Sequence, residues 1–558
     1  MEIQLVQIPP LEKIRTSDSL FGHAELYTQT VLRGERVSYQ ICIRSGLRQA
    51  AAVSIESELA PYIKLYLVKN VVMDMPVRTG ELHGEDYISL EPGLMPDLLL
   101  PIAAAGTELI LTEQPTVIWV RADIPQELLP GDYAIRLRLT AVDTQSSGDH
   151  AESVMQLRVI PAQLPEQQLI YTRWLYADCI AVQHSVQIYS EKHWKLIDRY
   201  IAAAVDVGIN MILVPIHTPP LDTAVGTTRP CVQLVDIEKT GSHYKFSFER
   251  FHRFIGICKK NGVRYYEIAH LFSQWGAKCA ANILITENGK KDYRFGWSTP
   301  ANDPIYIDFL KQYLAAICVE LQKEGISQQT FFHISDEPSP EAIDSYRSAA
   351  EMIRPLIGEC RTMDALSDYT FYEKGLVECP VTSIDHIQVF LDHQVQNQWL
   401  YYCCFPETVY SNSFLSMPLR RTRILGFLMY KYQITGFLHW GFNSYYAALS
   451  RYPVNPYLTT SADRAFASGD PFIVYPGTDT VLPSIRGETM YAAIQDMMLC
   501  SALERLIGRS AVLQMIDQEA GYALRFDHYP KNDRYLIELH AKMVQRIAAS
   551  GISQNDSL

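Results

Sequence analysis

The hydrophobic rhythm of the chain changes near residue 165. Before that point apolar and polar residues alternate, as in "AELYTQTVLRGERVSYQICIRSG", "IKLYLVKNVVMDMP", "TVIWVRADI" and "DYAIRLRLTAV", with turn clusters such as "LPGD" between the runs. A period of two places every second side chain on one face of a pleated strand. Strands of this kind, separated by turns, predict an antiparallel β-sandwich. "ESVMQLRVIPAQLPEQQ" reads as a last strand running into a Pro/Gln linker, which sets the expected boundary.

After the linker, short apolar runs alternate with long amphipathic segments. Strands are expected at 169–176, 211–216, 265–272, 329–336, 360–365, 386–391, 397–404 and 434–440. Helices are expected at "SEKHWKLIDRYIAAAVDVG", "DPIYIDFLKQYLAAICVELQKEG", "SPEAIDSYRSAAEMIRPLIG" and "SMPLRRTRILGFLMYKYQ". Eight strands with intervening helices predict a (β/α)8, TIM-like barrel, whose sites are built from the loops after its strands. The connections 217–247 and 273–302 are long and irregular. From about residue 487 the pattern is helical, with "ETMYAAIQDMMLCSALERLIG" expected in the barrel's outer ring. The predicted organisation is an N-terminal β-sandwich over 1–165, a catalytic barrel over 166–510 and a helical C-terminal extension over 511–558.

Composition narrows the partners. The 558 residues are 48% hydrophobic and 20% charged, which suits packed cores rather than disorder. Forty-nine basic residues against 62 acidic ones leave a net charge of −13 with no dense basic run, so neither nucleic acid nor an anionic membrane is an expected partner. "MEIQLVQIPP" has no export-signal pattern and no apolar stretch is long enough to span a bilayer, so a soluble, cytoplasmic protein is expected. The eleven cysteines are scattered without a C-x-x-C pair, which points to reduced thiols. Cys403 and Cys404, in an apolar run, read as core filling. Assembly into a homo-oligomer is compatible with all of this.

The candidate chemistry lies in "FFHISDEPSP". An apolar run stops at two adjacent carboxylates, Asp336 and Glu337, and "PSPEAIDSY" then starts a helix. On a barrel, the C-terminal end of a strand is the catalytic rim. Two close carboxyl groups do not ionise equally: one keeps its charge while the other becomes a proton donor near neutral pH. Glycosidic cleavage needs that combination, one group protonating the leaving oxygen and the other supporting positive charge on the sugar. The bland alternative is that one of them caps the helix.

Other strand ends tip the balance, because they carry the aromatic and amide groups a sugar site needs. The first strand end offers Trp174, Tyr176 and Asp178, the second His217 and Asp222, the third His270, Gln274 and Trp275. The seventh offers Tyr401 and Tyr402, followed by Asn412, and the eighth His439, Trp440 and Asn443. Of these, Trp174, Asp178, His217, His270, Gln274, Trp275, Tyr402, Asn412, His439, Trp440 and Asn443 are taken as substrate contacts. The histidines lack H-E-x-x-H or comparable spacing, so no metal is expected, and no cofactor.

The ordered set "FGWSTPANDPIYIDFLKQYL", "FFHISDEPSPEAI", "GFLHWGFNSYY", "GDPFIVYPG" and "SIRGETMYAAIQD" resembles glycoside hydrolase family 123 and its uncharacterised relatives, over about residues 1–510. The resemblance implies a retaining β-N-acetylgalactosaminidase-like enzyme, a sandwich before the barrel, and substrate-assisted catalysis. It implies Asp336 as the group that orients the 2-acetamido substituent and Glu337 as the general acid and base. It further implies Trp440 as the floor under the sugar, Tyr402 at the acetamide oxygen and Asn443 at a hydroxyl. Two rival readings stay open: a glycosidase for a sugar without a 2-acetamido group, and a non-catalytic carbohydrate-binding protein.

Overall fold

The computed structural model describes residues 3–19, 22–78, 86–142 and 150–550. The chain forms two compact units. One comprises Met1–Gln168, Glu407–Tyr432 and Leu482–Leu558; the other comprises Leu169–Pro406 and Gln433–Val481.

The first unit holds the sandwich. One five-stranded sheet runs in the order Ile3–Ile8, Arg36–Ser45, Thr116–Asp123, Ile63–Met73, Gly93–Ile102. The other runs Thr28–Arg33, His150–Gln163, Gly131–Ala141, Gln49–Glu56, Ala105–Leu111. Period-two alternation decides what faces inward: Val37, Tyr39, Ile41 and Ile43 meet Ile135, Leu137, Leu139, Met155, Leu157 and Val159 in one core. Each such aliphatic side chain, fully buried, contributes roughly 1.5–3 kcal/mol. The helix Ile485–Ile507 groups with this unit, tied to the first sheet by Arg121–Glu488 and Arg486–Asp97 ion pairs at 3.1 and 2.9 Å.

The second unit contains a closed barrel of eight parallel strands: Ile170–Arg173, Met211–Val214, Tyr265–Ile268, Thr330–Phe332, Arg361–Leu366, Cys379–Ser383, Trp399–Tyr401 and Gly436–His439. They are barrel strands one to eight below. Six fall within the predicted runs, the fifth overruns its run by one residue, and the sixth lies outside. Residues 386–391, expected as a strand, lie mainly in the helix Ile387–Asp392. Its β-branched and aromatic content misleads, because Ile387 and Phe390 are buried while Val389 is exposed, a spacing of three rather than two. The true strand, "CPVTS", is short and contains a proline, which hid it.

Interior packing explains some sequence choices. A Cβ on Gly436 would come within 2.0 Å of the Trp399 indole, so strand eight gives up a side chain to admit the ring from strand seven. The helix Pro304–Glu324 is bounded as "NDP…KEG" predicts: Asp303 caps the first amides, proline follows, and Gly325 ends it at φ 69°. The connections expected to be irregular carry a small four-stranded sheet, from hairpins Asp236–Thr240/His243–Ser247 and Ile283–Glu287/Lys290–Phe295. Among the described residues no helix is long and apolar enough to cross a membrane.

Candidate active site

Strand four delivers the acidic pair. Phe331, Phe332 and Ile334 anchor the run in the core, and the chain then turns sharply, with Glu337 at φ 39°. A non-glycine residue in the left-handed region is strained and persists only where its neighbours hold it. Here they do: the Glu337 amide donates to the Ala365 carbonyl of strand five (3.1 Å), and the Trp275 amide donates to the Asp336 carbonyl (2.8 Å). Ser335 Oγ accepts from the Gly276 and Ala277 amides at 3.1 and 3.0 Å and donates to the Ser273 carbonyl, clamping the loop after strand three. Gly276, at φ 112°, lies so close to Ala342 that a Cβ would approach to 2.5 Å.

Asp336 and Glu337 both line a cavity of about 180 Å3. Aromatic rings of Trp174, Tyr176, Trp275, Tyr401, Trp440 and Phe466 form much of its wall, with Gln274, Asp222, Cys403 and Cys404 also on it. The Tyr401 hydroxyl donates to Glu337 Oε1 at 2.6 Å. Trp440 is half-buried, its Nε1 bonded to Asp470 at 2.9 Å and its ring edge-on to Phe466. By accessible surface Glu337 is exposed and Asp336 half-buried. Protein atoms nevertheless crowd both, and confined water solvates a charge less well than bulk water does. Burial, reinforced by the charge of Glu337, pushes the Asp336 carboxyl well above the usual range, against the pull of His333. Burial also raises Glu337, opposed by the Tyr401 hydrogen bond. Both acids are therefore biased toward holding a proton.

A buried chain of charges is connected to this pair. Glu267 accepts from Thr172 Oγ1 (2.7 Å), Trp174 Nε1 (2.5 Å) and His333 Nε2 (2.5 Å). The other nitrogen of His333 lies 3.0 Å from Asp364 Oδ1, and Asp364 also accepts from Tyr346 and the Ile334 amide. Burial opposes the charge on His333, but Glu267 and Asp364 on either side push its pKa up to about 10, making it a fixed imidazolium. His270 stacks on it at 3.9 Å between centroids, and burial beside that cation drives His270 neutral.

The structure sorts the predicted contacts. Trp174, Gln274, Trp275 and Trp440 line the cavity with the acidic pair. Asp178 does not: it is buried in a bidentate pair with Arg229, which stacks on the Tyr176 ring at 4.3 Å. Asn443 clamps the main chain of Tyr176 through both of its side-chain ends. His217 is buried against the His270 carbonyl (2.8 Å), and His439 is buried 3.3 Å from Asp470. Tyr402, the residue after strand seven, packs edge-on to Phe437 and His439 and is not among the residues lining the cavity, whereas Tyr401 is. Asn412 belongs to the other unit, its side chain accepting from the Ser413 amide. Cys403 and Cys404 line the cavity instead of filling a core.

Sequence reasoning noted Tyr401, Tyr176 and Asp222 at strand ends without taking them as contacts, and overlooked Glu267, His333 and Asp364. The available signal was a charged or imidazole side chain inside an otherwise apolar strand run, which is rare unless paired. His270, His333 and Asp364 place potential metal-ligand atoms within 4.8 Å of one another. The two rings are only 13° from parallel, so their in-plane lone pairs run side by side rather than converging on one ion.

The family model for the glycoside hydrolase 123 catalytic domain matches residues 174–503, more than half of the chain. A family 123 glycoside hydrolase from Clostridium perfringens, whose structure was determined to detail glycolipid glycan hydrolysis, superposes with a TM-score of 0.72 at 16% identity, covering 98% of this chain and 97% of its own. A putative glycoside hydrolase from Bacteroides vulgatus covers 74% of this chain and 72% of its own, with a TM-score of 0.29 at 8% identity. No curated protein sequence matches the chain. With that domain match, on a sandwich-plus-barrel fold shared with the Clostridium protein, the chain belongs to glycoside hydrolase family 123 and is a glycosidase with a carbohydrate substrate.

Proposed function

We propose that the protein is a retaining β-N-acetylhexosaminidase, acting on a GalNAc-like sugar by substrate assistance. The observation that carries this reading is the placement of Asp336 and Glu337, consecutive in the chain, on the wall of one small aromatic cavity. Adjacent residues address neighbouring atoms of one sugar more readily than they flank a glycosidic bond from opposite sides. Glu337, oriented by Tyr401, protonates the glycosidic oxygen. The C1–O bond breaks as the acetamide carbonyl oxygen forms a bond to C1, giving an oxazolinium ion. Glu337, now a carboxylate, takes a proton from water, whose oxygen opens that ring at C1 with overall retention.

The raised carboxyls fit this sequence once substrate is present. An acetamide N–H donating to Asp336 favours its ionised form, which leaves the proton of the pair on Glu337. The half-buried Trp440 ring supplies an apolar floor for the sugar. The Clostridium relative is described with glycolipid glycans, and a glycoconjugate glycan is the substrate class proposed here.

Asp222 favours a second reading. It also lines the cavity, and burial raises its carboxyl above the usual range. With Glu337 as acid, Asp222 would then be the nucleophile for a sugar lacking an acetamido group. Hydrolysis of aryl β-N-acetylgalactosaminide, followed by NMR of the first-formed anomer with and without a thiazoline inhibitor, separates the two. The primary reading expects the β-anomer first, inhibition by thiazoline, and a far larger loss in Asp336→Asn than in Asp222→Asn. Cleavage confined to sugars without the acetamido group, insensitive to thiazoline and abolished in Asp222→Asn, selects the second.

A further inference from the structure

The barrel interior holds a charged network that the proposed reaction leaves without a task. Strands one and three are not neighbours in the barrel, so the hydrogen bond from Thr172 to Glu267 crosses its interior. Thr172, Glu267, His333 and Asp364 are all fully buried, in a place where bulky aliphatic side chains are usual. Stability alone does not account for them, because a well-packed hydrophobic set of similar volume is often as stable as a buried ion pair, or more so. What the network supplies is geometry. Glu267 Oε1 accepts from two donors at once, Trp174 Nε1 and His333 Nε2, each at 2.5 Å, while Oε2 accepts from Thr172.

The two donors on Oε1 lead to different parts of the site. Trp174 is on the wall of the cavity that Asp336 and Glu337 line. His333 directly follows strand four and opens the segment that ends in those acids; the next residue, Ile334, gives its amide to Asp364 at 3.1 Å. One carboxylate oxygen therefore ties a wall ring from strand one to the acid-bearing end of strand four. The other contacts of that ring hold it less tightly: the imidazoles of His270 and His333 meet it edge-on, at 5.3 and 6.0 Å between centroids. Ring contacts of that kind are weaker than a directional hydrogen bond to an ionised acceptor. Glu267 itself is not among the residues that line the cavity.

We propose that Glu267 is a positioning residue of the glycosidase: through the indole N–H of Trp174 it fixes that ring relative to Asp336 and Glu337, and so sets the fit of a sugar it never touches. This rests on the reading of the cavity as the sugar site. The test is a double-mutant cycle on the full chain, read by the thiazoline inhibition constant and by kcat/KM for aryl β-N-acetylgalactosaminide. Glu267→Met removes the acceptor at similar volume and should worsen both by about tenfold, the scale of one hydrogen bond to a charged group. Glu267→Gln keeps an oxygen for Trp174 and should recover most of that loss. In the Trp174→Phe background, where the N–H is gone, Glu267→Met should add little, because both substitutions break one contact. Nitrogen-labelled tryptophan gives a readout independent of turnover. Of the seven indole N–H signals, the one lost in Trp174→Phe should lie downfield and exchange slowly in wild type and in Glu267→Gln, and move upfield in Glu267→Met. If Glu267→Met does not fold, that wild-type signal decides, and rapid exchange overturns the inference. So do an unchanged Glu267→Met, an unmoved indole signal, or equal losses with and without Trp174→Phe, the result of a purely structural role; each of these leaves the hexosaminidase reading intact. Activity confined to sugars without the acetamido group refutes that reading instead, and the same coupling measured on such a sugar upholds the role of Glu267. A chain that cleaves no glycoside overturns both.

Discussion

The two units bury carboxylates in opposite ways. In the sandwich-containing unit, Asp97 is bonded to Arg486, Glu488 to Arg121, and Asp496 to Arg423 and His540, each within about hydrogen-bond distance. Burial works against Asp496, but its cationic partners win and hold its carboxyl below the usual range. In the barrel unit the paired cavity acids Asp336 and Glu337 have no guanidinium bonded to them among the described residues, and burial pushes both upward. The residue types are alike and the surroundings differ. A buried acid with its own cation is committed to its charge and serves the scaffold, whereas an acid crowded by another acid and aromatic rings keeps an exchangeable proton. Asp178 with Arg229 shows that the barrel unit also uses the first arrangement where it needs support rather than chemistry.

Glu337→Gln should produce the largest functional effect, a fall in kcat/KM of about 10²–10⁴-fold. The loss should be smaller for aryl glycosides with acidic leaving groups, which need less protonation, and a thermal melt should show an intact fold. An equal loss for all leaving groups would break the assignment of Glu337 as the acid. Arg486→Leu should be the largest stability effect. It strands a fully buried Asp97 and is expected to cost about 3–5 kcal/mol in urea unfolding. Adding Asp97→Leu should recover most of that, because the penalty comes from the unpaired charge.

Tyr401→Phe removes the hydrogen bond that opposes the rise in the Glu337 pKa. Activity should fall about tenfold, and the alkaline limb of the kcat/KM profile should move to higher pH. A limb that stays in place would mean another group titrates there. The last expectation concerns how stability at His333 varies with pH. Its folded pKa of about 10 lies above the unfolded value, so its charge stabilises the fold fully below about pH 6.5 and ceases to do so as pH rises through 10. The stability gap between wild type and His333→Gln should therefore close over that interval in pH-dependent unfolding.

Much of the fold was legible because periodicity reports which face is buried. The period of two marked the sandwich, six of the barrel strands fell inside the expected runs, and the fifth overran its run by one residue. Strand six was missed because "CPVTS" is too short to show a period and contains proline, while "IQVFLD" imitates a strand in composition. Within the site, "SDEP" was legible because charge pressed against charge at the end of an apolar run has few structural uses. Tyr401 and Tyr402 were not separable, since neighbours on a strand face opposite ways and nothing local says which face lines the cavity. His217, His270 and His439 looked like sugar contacts at strand ends, yet each is buried with a partner inside the protein.

What the sequence determined by itself is the order of elements and the presence of two acids at a strand end, because both follow from neighbours along the chain. What the tertiary structure decided is which aromatic rings meet those acids, that both acids are biased toward the protonated form, and that Glu267, His333 and Asp364 form one network. Those properties depend on burial and on charges brought together from distant strands, and a buried charge responds to every group that folding places around it, however remote in sequence.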